Sequence, residues 1–218
     1  MVSATGSAPL LVEAGIPIRQ LRERSGFRLT DLAGCLVSHG HGDHSRAVKE
    51  VLKAGVDCIM SRGTAAELGI DEHHRVYLLG ESLMNLVGGW QVKAFPLSHD
   101  AKEPTGFLIA HGDDRLLFIP DTCYVRERFA GITQVVIECN NIDEILSRNI
   151  QGGHIPSCVG RRVRRNHMNL DTVISMLKAN DLSKCTKIYL IHLSDANSDE
   201  ARMINEIQSA TGIPVTAC

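Results

Sequence analysis

The sequence predicts one layered α/β domain with mixed β-sheets, and three observations support this prediction. Short apolar runs rich in β-branched residues recur along the chain, amphipathic segments lie between several of them, and no repeat or linker interrupts the 218 residues. A chain of this length usually folds around one core, so we expect residues 1–218 to form a single domain.

Eight apolar runs have the length of β-strands rather than helices, and each is bounded by Gly, Pro, Asp or Asn. The predicted strands are 10–12, 34–37, 57–60, 90–95, 106–109, 115–119, 134–137 and 187–191. The segment His111-Gly112-Asp113-Asp114 separates two of them and is typical of a hairpin loop.

Four segments are predicted to be helical. The apolar residues of 44–54 and of 170–179 each fall on one stripe at helical spacing. Segments 64–68 and 199–210 are further candidates, and Ser198-Asp199-Glu200 is typical of the start of the latter helix. Because hairpins and strand–helix alternation both occur, we expect mixed sheets.

The composition excludes several classes of protein. With 44% hydrophobic residues the chain can build a core, and a formal net charge of −2 gives no general attraction to nucleic acid. No apolar run approaches the ~18 residues of a membrane span, and residues 1–9 lack the basic and apolar blocks of a secretory signal. We therefore expect no membrane partner.

Seven cysteines, an odd number without any CxxC pair, are scattered through the chain. They are Cys35, Cys58, Cys123, Cys139, Cys158, Cys185 and Cys218. Scattered unpaired thiols in apolar stretches suit a reducing compartment, so we expect buried structural thiols and a cytoplasmic location. A redox or metal-binding role is the alternative.

The segment from Ser38 to His44 reads Ser-His-Gly-His-Gly-Asp-His and contains the strongest chemical signal. It follows a predicted strand and leads into a predicted helix, so its glycine-spaced turn can direct three imidazoles and a carboxylate toward neighbouring points. Imidazole nitrogen is the commonest protein ligand of zinc-like metals, and a carboxylate suits a second, harder cation. Since a merely polar loop rarely has this pattern, the segment predicts a metal site.

The pattern His39-x-His41-x-Asp43-His44 resembles the HxHxDH signature of the metallo-β-lactamase superfamily. Three later residues at the ends of predicted strands match the remaining ligands of that family in order: His99, Asp121 and His192. Taken alone, a histidine or aspartate after a strand is more often a polar turn or cap residue. The resemblance covers the chain from about residue 10 to its end and implies a four-layer αβ/βα sandwich with two mixed β-sheets.

The resemblance also implies a dinuclear site whose ions activate a hydroxide as the nucleophile. His39, His41 and His99 would hold one metal. Asp43, His44 and His192 would hold the other, Asp121 would bridge them, and Asp43 would also orient the hydroxide. The expected ions are two zinc ions, with manganese or iron as alternatives because carboxylates are among the ligands.

Glu138, which follows the run 134–137, and His167, which precedes the helix predicted at 170–179, form a second resemblance. They are similar to the glutamate–histidine pair of transfer-RNA 3′-processing endonucleases and of the small phosphodiesterase-like branch typified by the YycJ (WalJ) group. The resemblance implies that His167 is a general acid or phosphate contact whose tautomer Glu138 fixes. The structural alternative is that Glu138 caps a turn and His167 begins a helix.

Four arginines and one asparagine are the candidate substrate contacts: Arg161, Arg162, Arg164, Arg165 and Asn169. The planar guanidinium group matches phosphate oxygens in two-point contacts. A basic run is ordinarily a solvated face, yet this is the only basic cluster in a slightly acidic chain. It favours a phosphate-bearing substrate over a neutral amide or thioester.

These features predict a metal-dependent hydrolase of the phosphodiesterase or nuclease type, acting on nucleic acid or on nucleotides, including cyclic ones. One alternative is the hydrolysis of another ester, such as a thioester or a lactam, at the same metal site. The other is a non-catalytic nucleotide-binding module. The stretch between Asp121 and His192 leaves no room for a long RNA-gripping arm, which disfavours a dedicated RNA-processing enzyme.

The N-terminal segment departs from the family pattern. Leu11-Val12-Glu13-Ala14-Gly15 resembles the family's IDAG-like motif with Glu13 in place of the aspartate. Few residues precede Leu10, so we expect the customary first strand to be short or missing. An uncovered edge strand invites pairing with another chain, so a homodimer is expected as one way to cover it.

Overall fold

The computed structural model describes residues 1–80 and 84–218, and the chain comprises two compact units. The first unit consists of Met1–Pro96 with Ala101–Gly112, and the second of Leu97–Asp100 with Asp113–Cys218. Each unit contains strands and helices of its own.

A four-stranded sheet forms the centre of the first unit. Its strands, in spatial order, are β1 (Leu10–Val12), β2 (Gly34–Leu36), β3 (Cys58–Met60) and β4 (Val76–Leu78), and each neighbouring pair is parallel. The helices of this unit are α1 (Ile18–Arg24), α2 (Gly42–Ser45), α3 (Val48–Lys53) and α4 (Arg62–Leu68), with a 3₁₀ turn at Leu29–Asp31. All residues of β2 and β3 are buried, as expected for parallel strands covered on both faces.

The single helix predicted over 44–54 is two helices, α2 and α3, in the structure. Ala47 lies between them with φ −101° and ψ 9°, and its N–H donates to the carbonyl of Ala14 at 2.8 Å. This hydrogen bond connects the chain just after β1 to the break, so a tertiary contact replaces one intrahelical bond. The apolar spacing was correct, but it contains no signal for such a break.

The edge of β1 is partly covered by the chain's own N-terminal segment. Val2 and Leu10 form an antiparallel bridge, with N–H···O distances of 2.8 and 2.9 Å in the two directions. The homodimer was predicted because the edge of β1 was expected to be uncovered, and at Leu10 this edge is paired with Val2 instead. The homodimer stays a prediction, but this reason no longer supports it.

The first unit also contains an antiparallel meander of β5 (Met84–Val87), β6 (Trp90–Pro96) and β7 (Thr105–His111). Gly88 and Gly89 connect β5 to β6 with φ values of 53° and 92°, the left-handed pair that a type I′ hairpin turn requires. Trp90 is buried and donates its indole N–H to the carbonyl of Ala8 at 2.8 Å.

The second unit has four parallel strands in the order β8 (Asp114–Ile119), β9 (Gln134–Glu138), β10 (Lys187–Ile191) and β11 (Val215–Ala217). Its helices are α5 (Asp143–Gln151), α6 (Ser157–Asn166), α7 (Leu170–Lys178) and α8 (Glu200–Thr211). Because the strands are parallel, their carboxyl ends lie along one edge. Polar residues that end or follow β8, β9 and β10 are therefore placed close together.

Among residues 1–80 and 84–218, no helix has the length and apolar character needed to cross a lipid bilayer.

Candidate metal centre

Three imidazoles gather where β2 leads into α2 in the first unit: His39 and His41 lie in the connecting turn, and His44 lies in α2. The ring centroid of His39 lies 4.8 Å from that of His41 and 4.1 Å from that of His44. His39 is fully buried, and its Nδ1 is hydrogen-bonded to the Ser38 hydroxyl at 2.9 Å. The carboxylate of Asp43 lies 3.6 Å from Nε2 of His44. The turn thus presents imidazole nitrogens and one carboxylate as a compact set of donor atoms.

Glu13 holds this turn from the end of β1. Its backbone has a left-handed φ of 67°, a strained value for a residue with a side chain. One carboxylate oxygen accepts the Ser38 N–H at 3.1 Å, and the other lies 3.4 Å from Nδ1 of His44. Glu13 therefore orients His44 with its Nε2 toward Asp43, as residues behind metal ligands commonly do.

Gly15 allows the chain after β1 to approach the same turn. A Cβ at this position would lie 1.5 Å from the carbonyl oxygen of Asp43, so no side chain fits there. The N–H of Ala14 donates to the carbonyl of His44 at 2.9 Å. The Glu13-Ala14-Gly15 segment is thus packed directly against the Asp43-His44 backbone.

A second group of donor atoms lies at the carboxyl edge of the strands in the second unit. Asp121, Glu138, His167 and His192 each offer a ligand atom, and these four atoms lie within 4.8 Å of one another. Oδ2 of Asp121 is 3.3 Å from Nε2 of His192 and 3.7 Å from Nε2 of His99. Asp121 is almost fully buried, so its carboxylate is removed from water in the middle of three imidazoles.

The hydrogen bonds of His99 prepare it to accept a metal. Its Nδ1–H donates to the carbonyl of Asn166 at 3.0 Å, which leaves Nε2 as the unprotonated nitrogen of the neutral ring. Burial lowers the pKa of His99, so the ring is neutral near pH 7. Neutral imidazole is the form that binds metals.

The backbone at His192 is strained, with a left-handed φ of 59° immediately after β10. Asn140 donates through its Nδ2 to the His192 carbonyl at 3.1 Å, and the same amide nitrogen lies 3.2 Å from Nδ1 of the ring. These two contacts with Asn140 hold His192 in a backbone conformation that few histidines adopt. They also direct Nε2 of the His192 ring toward Asp121. Strain of this kind concentrates at functional sites.

Glu138 and His167 form a buried hydrogen-bonded pair. Oε2 of Glu138 lies 3.0 Å from Nδ1 of His167, and Oε1 accepts the backbone N–H of Thr122. Burial, and then the negative charge of Asp121, raise the pKa of Glu138 well above its usual value, while the Thr122 hydrogen bond opposes the shift. The geometry of the pair directs Nε2 of His167 away from Glu138.

The His167 ring lies within the histidine group of the second unit. It stacks on His192 with centroids 5.0 Å apart and an interplanar angle of 15°, and it meets His99 edge-on at 5.1 Å. His167 is thus held beside candidate metal ligands, where a group that reacts at a coordinated substrate would have to lie.

The donor atoms in both units fit a divalent transition metal. Imidazole nitrogen and carboxylate oxygen are the ligands that zinc, manganese and iron take in proteins. Four of the predicted ligands lie in the first unit, in the turn after β2 and in α2: His39, His41, Asp43 and His44. The other three belong to the histidine–carboxylate group of the second unit: His99, Asp121 and His192.

The predicted arginines lie on α6, and three of them line a cleft of about 620 Å³. The residues that line this cleft are Ser98, His99, Asp100, Cys158, Arg161, Arg162, Arg165 and Asn166. We call it the arginine cleft. His99 belongs both to its wall and to the histidine–carboxylate group, so the cleft begins beside the candidate ligands.

Two predicted substrate contacts have structural partners instead. Arg164 bonds Asp143 and the hydroxyl of Ser147, each at 2.7 Å, and does not line the arginine cleft. The side-chain oxygen of Asn169 accepts the Thr172 N–H at 2.9 Å and caps α7. Both side chains therefore stabilise local structure.

Sequence reasoning missed the residues that orient the predicted ones. Ser38, Asp100 and Asn140 hold His39, Arg162 and His192, respectively. Each is a direct chain neighbour, or a near neighbour, of a predicted site residue, which was the only signal available for them. Their polar side chains next to strand ends could have been read as supporting groups.

Comparison with known proteins gives consistent results. The family model for the β-lactamase superfamily domain matches residues 9–193. The chain is 29% identical to the exodeoxyribonuclease YycJ of Bacillus anthracis, covering 97% of this chain and 85% of that relative. It is 27% identical to the exodeoxyribonuclease WalJ of Streptococcus pneumoniae, covering 94% and 82%.

A solved structure gives the same fold. The metallo-β-lactamase fold protein YhfI from Bacillus subtilis aligns with a TM-score of 0.75 over 99% of this chain and 86% of its own, at 14% identity. The α/β fold with two sheets predicted from the HxHxDH resemblance is therefore confirmed, although the neighbouring strands of the four-stranded sheet are all parallel rather than mixed.

Proposed function

Since this chain belongs to the β-lactamase superfamily of metal-dependent hydrolases, we propose that it is a phosphodiesterase that acts on nucleic acid. The observation on which this rests is the Glu138–His167 pair, held among candidate metal ligands and beside a cleft lined by arginines. The names of the two curated relatives, both exodeoxyribonucleases, support DNA as the substrate.

We propose that the seven predicted ligands hold two divalent ions, with zinc as the expected metal and manganese or iron as alternatives. Bound ions would supply Lewis-acid chemistry, activating the attacking water and neutralising charge on the phosphate oxygens. The neutral ring of His99 and the buried carboxylate of Asp121 are suited to this role without rearrangement.

His167 is the proposed general acid. Its Nδ1 is bound to Glu138, so Nε2 is the ring atom that can reach a substrate held among the histidines. A proton transferred from Nε2–H to the departing oxygen would let the leaving group depart as an alcohol rather than as a strongly basic alkoxide. Glu138 is a positioning residue in this scheme because it contacts the substrate only through His167.

The arginine cleft supplies the binding energy. Its guanidinium groups would contact phosphate oxygens of the substrate and fix the scissile bond relative to His167. The reacting group of a thioester or a lactam is not itself a phosphate, so these guanidinium groups would not contact the bond that breaks. Nothing in the cleft therefore favours either as a substrate.

A substrate panel tests the proposed function. Purified protein would be assayed with bis-(p-nitrophenyl) phosphate, single- and double-stranded DNA, a cyclic nucleotide and an acyl thioester, with and without chelator. We expect metal-dependent hydrolysis of the phosphodiesters, and DNA as the best substrate. Thioester hydrolysis without phosphodiester hydrolysis would contradict the proposal, as would nucleotide binding without any turnover.

The scattered thiols support a reducing location. Among the described residues all seven cysteines are free. Cys35, Cys58 and Cys139 are buried as expected, whereas the expected burial is wrong for Cys158 and Cys218, which are exposed. We propose the cytoplasm on this ground.

A further inference from the structure

The arginine cleft contains positive charge that the protein itself does not neutralise. Arg162 is held by Asp100, with both contacts to one carboxylate oxygen at 2.9 and 3.0 Å. Within residues 1–80 and 84–218, no carboxylate forms an ion pair with Arg161 or Arg165, and both are exposed. The cleft thus has two uncompensated guanidinium groups in a chain whose formal net charge is −2.

Arg161 and Arg165 are placed so that one bound ligand could contact both guanidinium groups. Arg161 and Arg165 are four residues apart on α6 and so project from the same face of the helix. One carboxylate oxygen of Asp100 holds Arg162 beside them. Its other oxygen lies 3.2 Å from Nε2 of His99. A volume of about 620 Å³ is within the roughly 300–1,000 Å³ range of small-ligand sites.

We propose that the arginine cleft is a subsite for a second phosphate of the substrate, one that is not hydrolysed. This inference rests on the proposed function, since it assigns the scissile phosphate to the neighbouring histidine–carboxylate group. A cyclic mononucleotide has a single phosphate and cannot occupy both places. The substrate class is therefore an oligonucleotide, with either an internal phosphodiester or a terminal phosphate in the cleft.

Two exposed cysteines allow a direct test without any metal. Cys158 lines the arginine cleft, whereas Cys218 is exposed and does not line it. Alkylation by iodoacetamide in chelator would be followed by mass spectrometry at each thiol. The probes are thymidine trinucleotide with two phosphodiesters, 5′-phosphorylated thymidine dinucleotide and cyclic AMP, each at millimolar concentration.

We expect the two oligonucleotide probes to slow the alkylation of Cys158 several-fold and to leave Cys218 unchanged. Cyclic AMP is expected to protect Cys158 far less. Protection by the phosphorylated dinucleotide alone would assign a terminal phosphate to the cleft, and equal protection by both oligonucleotides would assign any neighbouring phosphate. Equal alkylation of Cys158 with and without every probe would overturn the inference.

Arginine variants provide a second readout. Arg161→Ala and Arg165→Ala should each weaken binding of a labelled oligothymidylate about tenfold in chelator, measured by fluorescence anisotropy. Each should also reduce the slope of log Kd against log salt concentration by about 0.7. Arg148→Ala is the matched control, since that exposed arginine is paired with Glu144 outside the cleft. Wild-type affinity in both cleft variants would refute the subsite.

Kinetics separates this inference from the proposed function. The kcat/KM of wild type for the trinucleotide should exceed that for thymidine dinucleotide, which has one phosphodiester, and the ratio should fall toward one in the double variant Arg161→Ala/Arg165→Ala. If wild type hydrolyses both substrates equally, the subsite is wrong and the phosphodiesterase stands. If it hydrolyses neither with added metal, the proposed function fails, and thiol protection still decides whether the subsite exists.

Discussion

Oε2 of Glu138 and Nδ1 of His167 are 3.0 Å apart although 29 residues separate them in the chain. Glu138 ends β9, and His167 follows α6, so the contact depends on the packing of that helix beside the carboxyl edge of the sheet. The pair joins a fully buried carboxyl to an imidazole that stacks on His192.

Loss of the His167 imidazole should slow hydrolysis most when the leaving group is poor. If His167 protonates the departing oxygen, His167→Ala should lower kcat about 10²- to 10⁴-fold for a DNA phosphodiester, whose alkoxide is a poor leaving group. The same variant should lose much less with bis-(p-nitrophenyl) phosphate, because p-nitrophenolate leaves without protonation. Steady-state kinetics on both substrates measures the difference.

Glu138→Gln is the companion variant, and its losses should follow those of His167→Ala on both substrates. The double variant should be no worse than His167→Ala, since Glu138 acts through that ring. Equal losses on the two substrates would show that the pair has a structural role only.

Glu13 should influence metal affinity without being a ligand. Its carboxylate binds the Ser38 N–H and lies 3.4 Å from His44, so Glu13→Ala should weaken metal binding about 10- to 100-fold. Metal retained during dialysis against a competing chelator is the measurement. Glu23→Ala is the matched control, because that carboxylate is exposed and pairs with Arg19. Identical retention in the two variants would mean that Glu13 does not position His44.

Gly15 should tolerate no side chain. The Cβ of Gly15→Ala would overlap the backbone carbonyl of Asp43, which cannot move without displacing the metal-binding turn, so we expect a loss of about 3 kcal/mol in the free energy of unfolding.

Gly160→Ala is the comparison for Gly15→Ala, since the nearest atoms to its Cβ would be side-chain atoms of Ile150 and Leu146 rather than backbone. Alanine also favours α6 by about 1 kcal/mol over glycine, so the net change should be within about 1 kcal/mol. Urea denaturation of both variants decides the matter, and a Gly15→Ala protein as stable as Gly160→Ala would refute the packing argument.

Cys139 should contribute to the alkaline sensitivity of the fold. Burial, followed by the charge of Glu138, raises its pKa from 9.0 to about 12. The unfolded thiol ionises above about pH 9 while the folded one does not, so this contribution to stability is present below pH 9 and lost as the pH rises toward 12. The slope reaches about 1.4 kcal/mol per pH unit.

The test of the Cys139 prediction is the difference in slope between wild type and Cys139→Ala from pH 9 to 11 in chemical denaturation. Other groups also titrate in this range, but they do so in both proteins. Parallel slopes would show that Cys139 ionises as easily in the folded chain as in the unfolded one.

Most strands were predictable because their apolar residues are consecutive and buried. All eight predicted strands coincide with strands of the structure. The three missed ones are β4, β5 and β11. No residue of β4 is buried and its central residue, Tyr77, is half exposed, while β11 buries only Val215. Strands with so little buried surface depend on pairing with neighbours, which leaves little trace in local sequence.

Among the described residues, three helices were missed, and two of them, α1 and α6, lack an apolar stripe. The third, α5, has apolar residues at helical spacing (Ile145, Leu146 and Ile150), and the prediction overlooked them. α6 contains four arginines, and Gly160 is its only buried residue, while α1 buries only Leu21. Helical periodicity therefore could not identify either of them. Because α6 was not predicted, the directions of its arginines could not be predicted either, and Arg164 was grouped with the residues of the cleft. A helix turns about 100° per residue, which separates adjacent arginines onto different faces.

The candidate ligands were predictable for a different reason. Four of them fall within six residues after β2, so one local pattern reveals them, and the family resemblance supplied the remaining three. That residues 1–218 form a single domain, and that the seven ligands act together, stay predictions.

Metal content and turnover, measured on the same preparation, show whether bound metal ions carry out the hydrolysis. Elemental analysis of purified wild type should give two equivalents of divalent metal per chain, and chelation should abolish hydrolysis of bis-(p-nitrophenyl) phosphate until metal is restored. His41→Ala should lose metal and turnover together. Undiminished phosphodiester hydrolysis in His41→Ala, or in metal-free wild type, would show that the reaction does not depend on metal at these ligands.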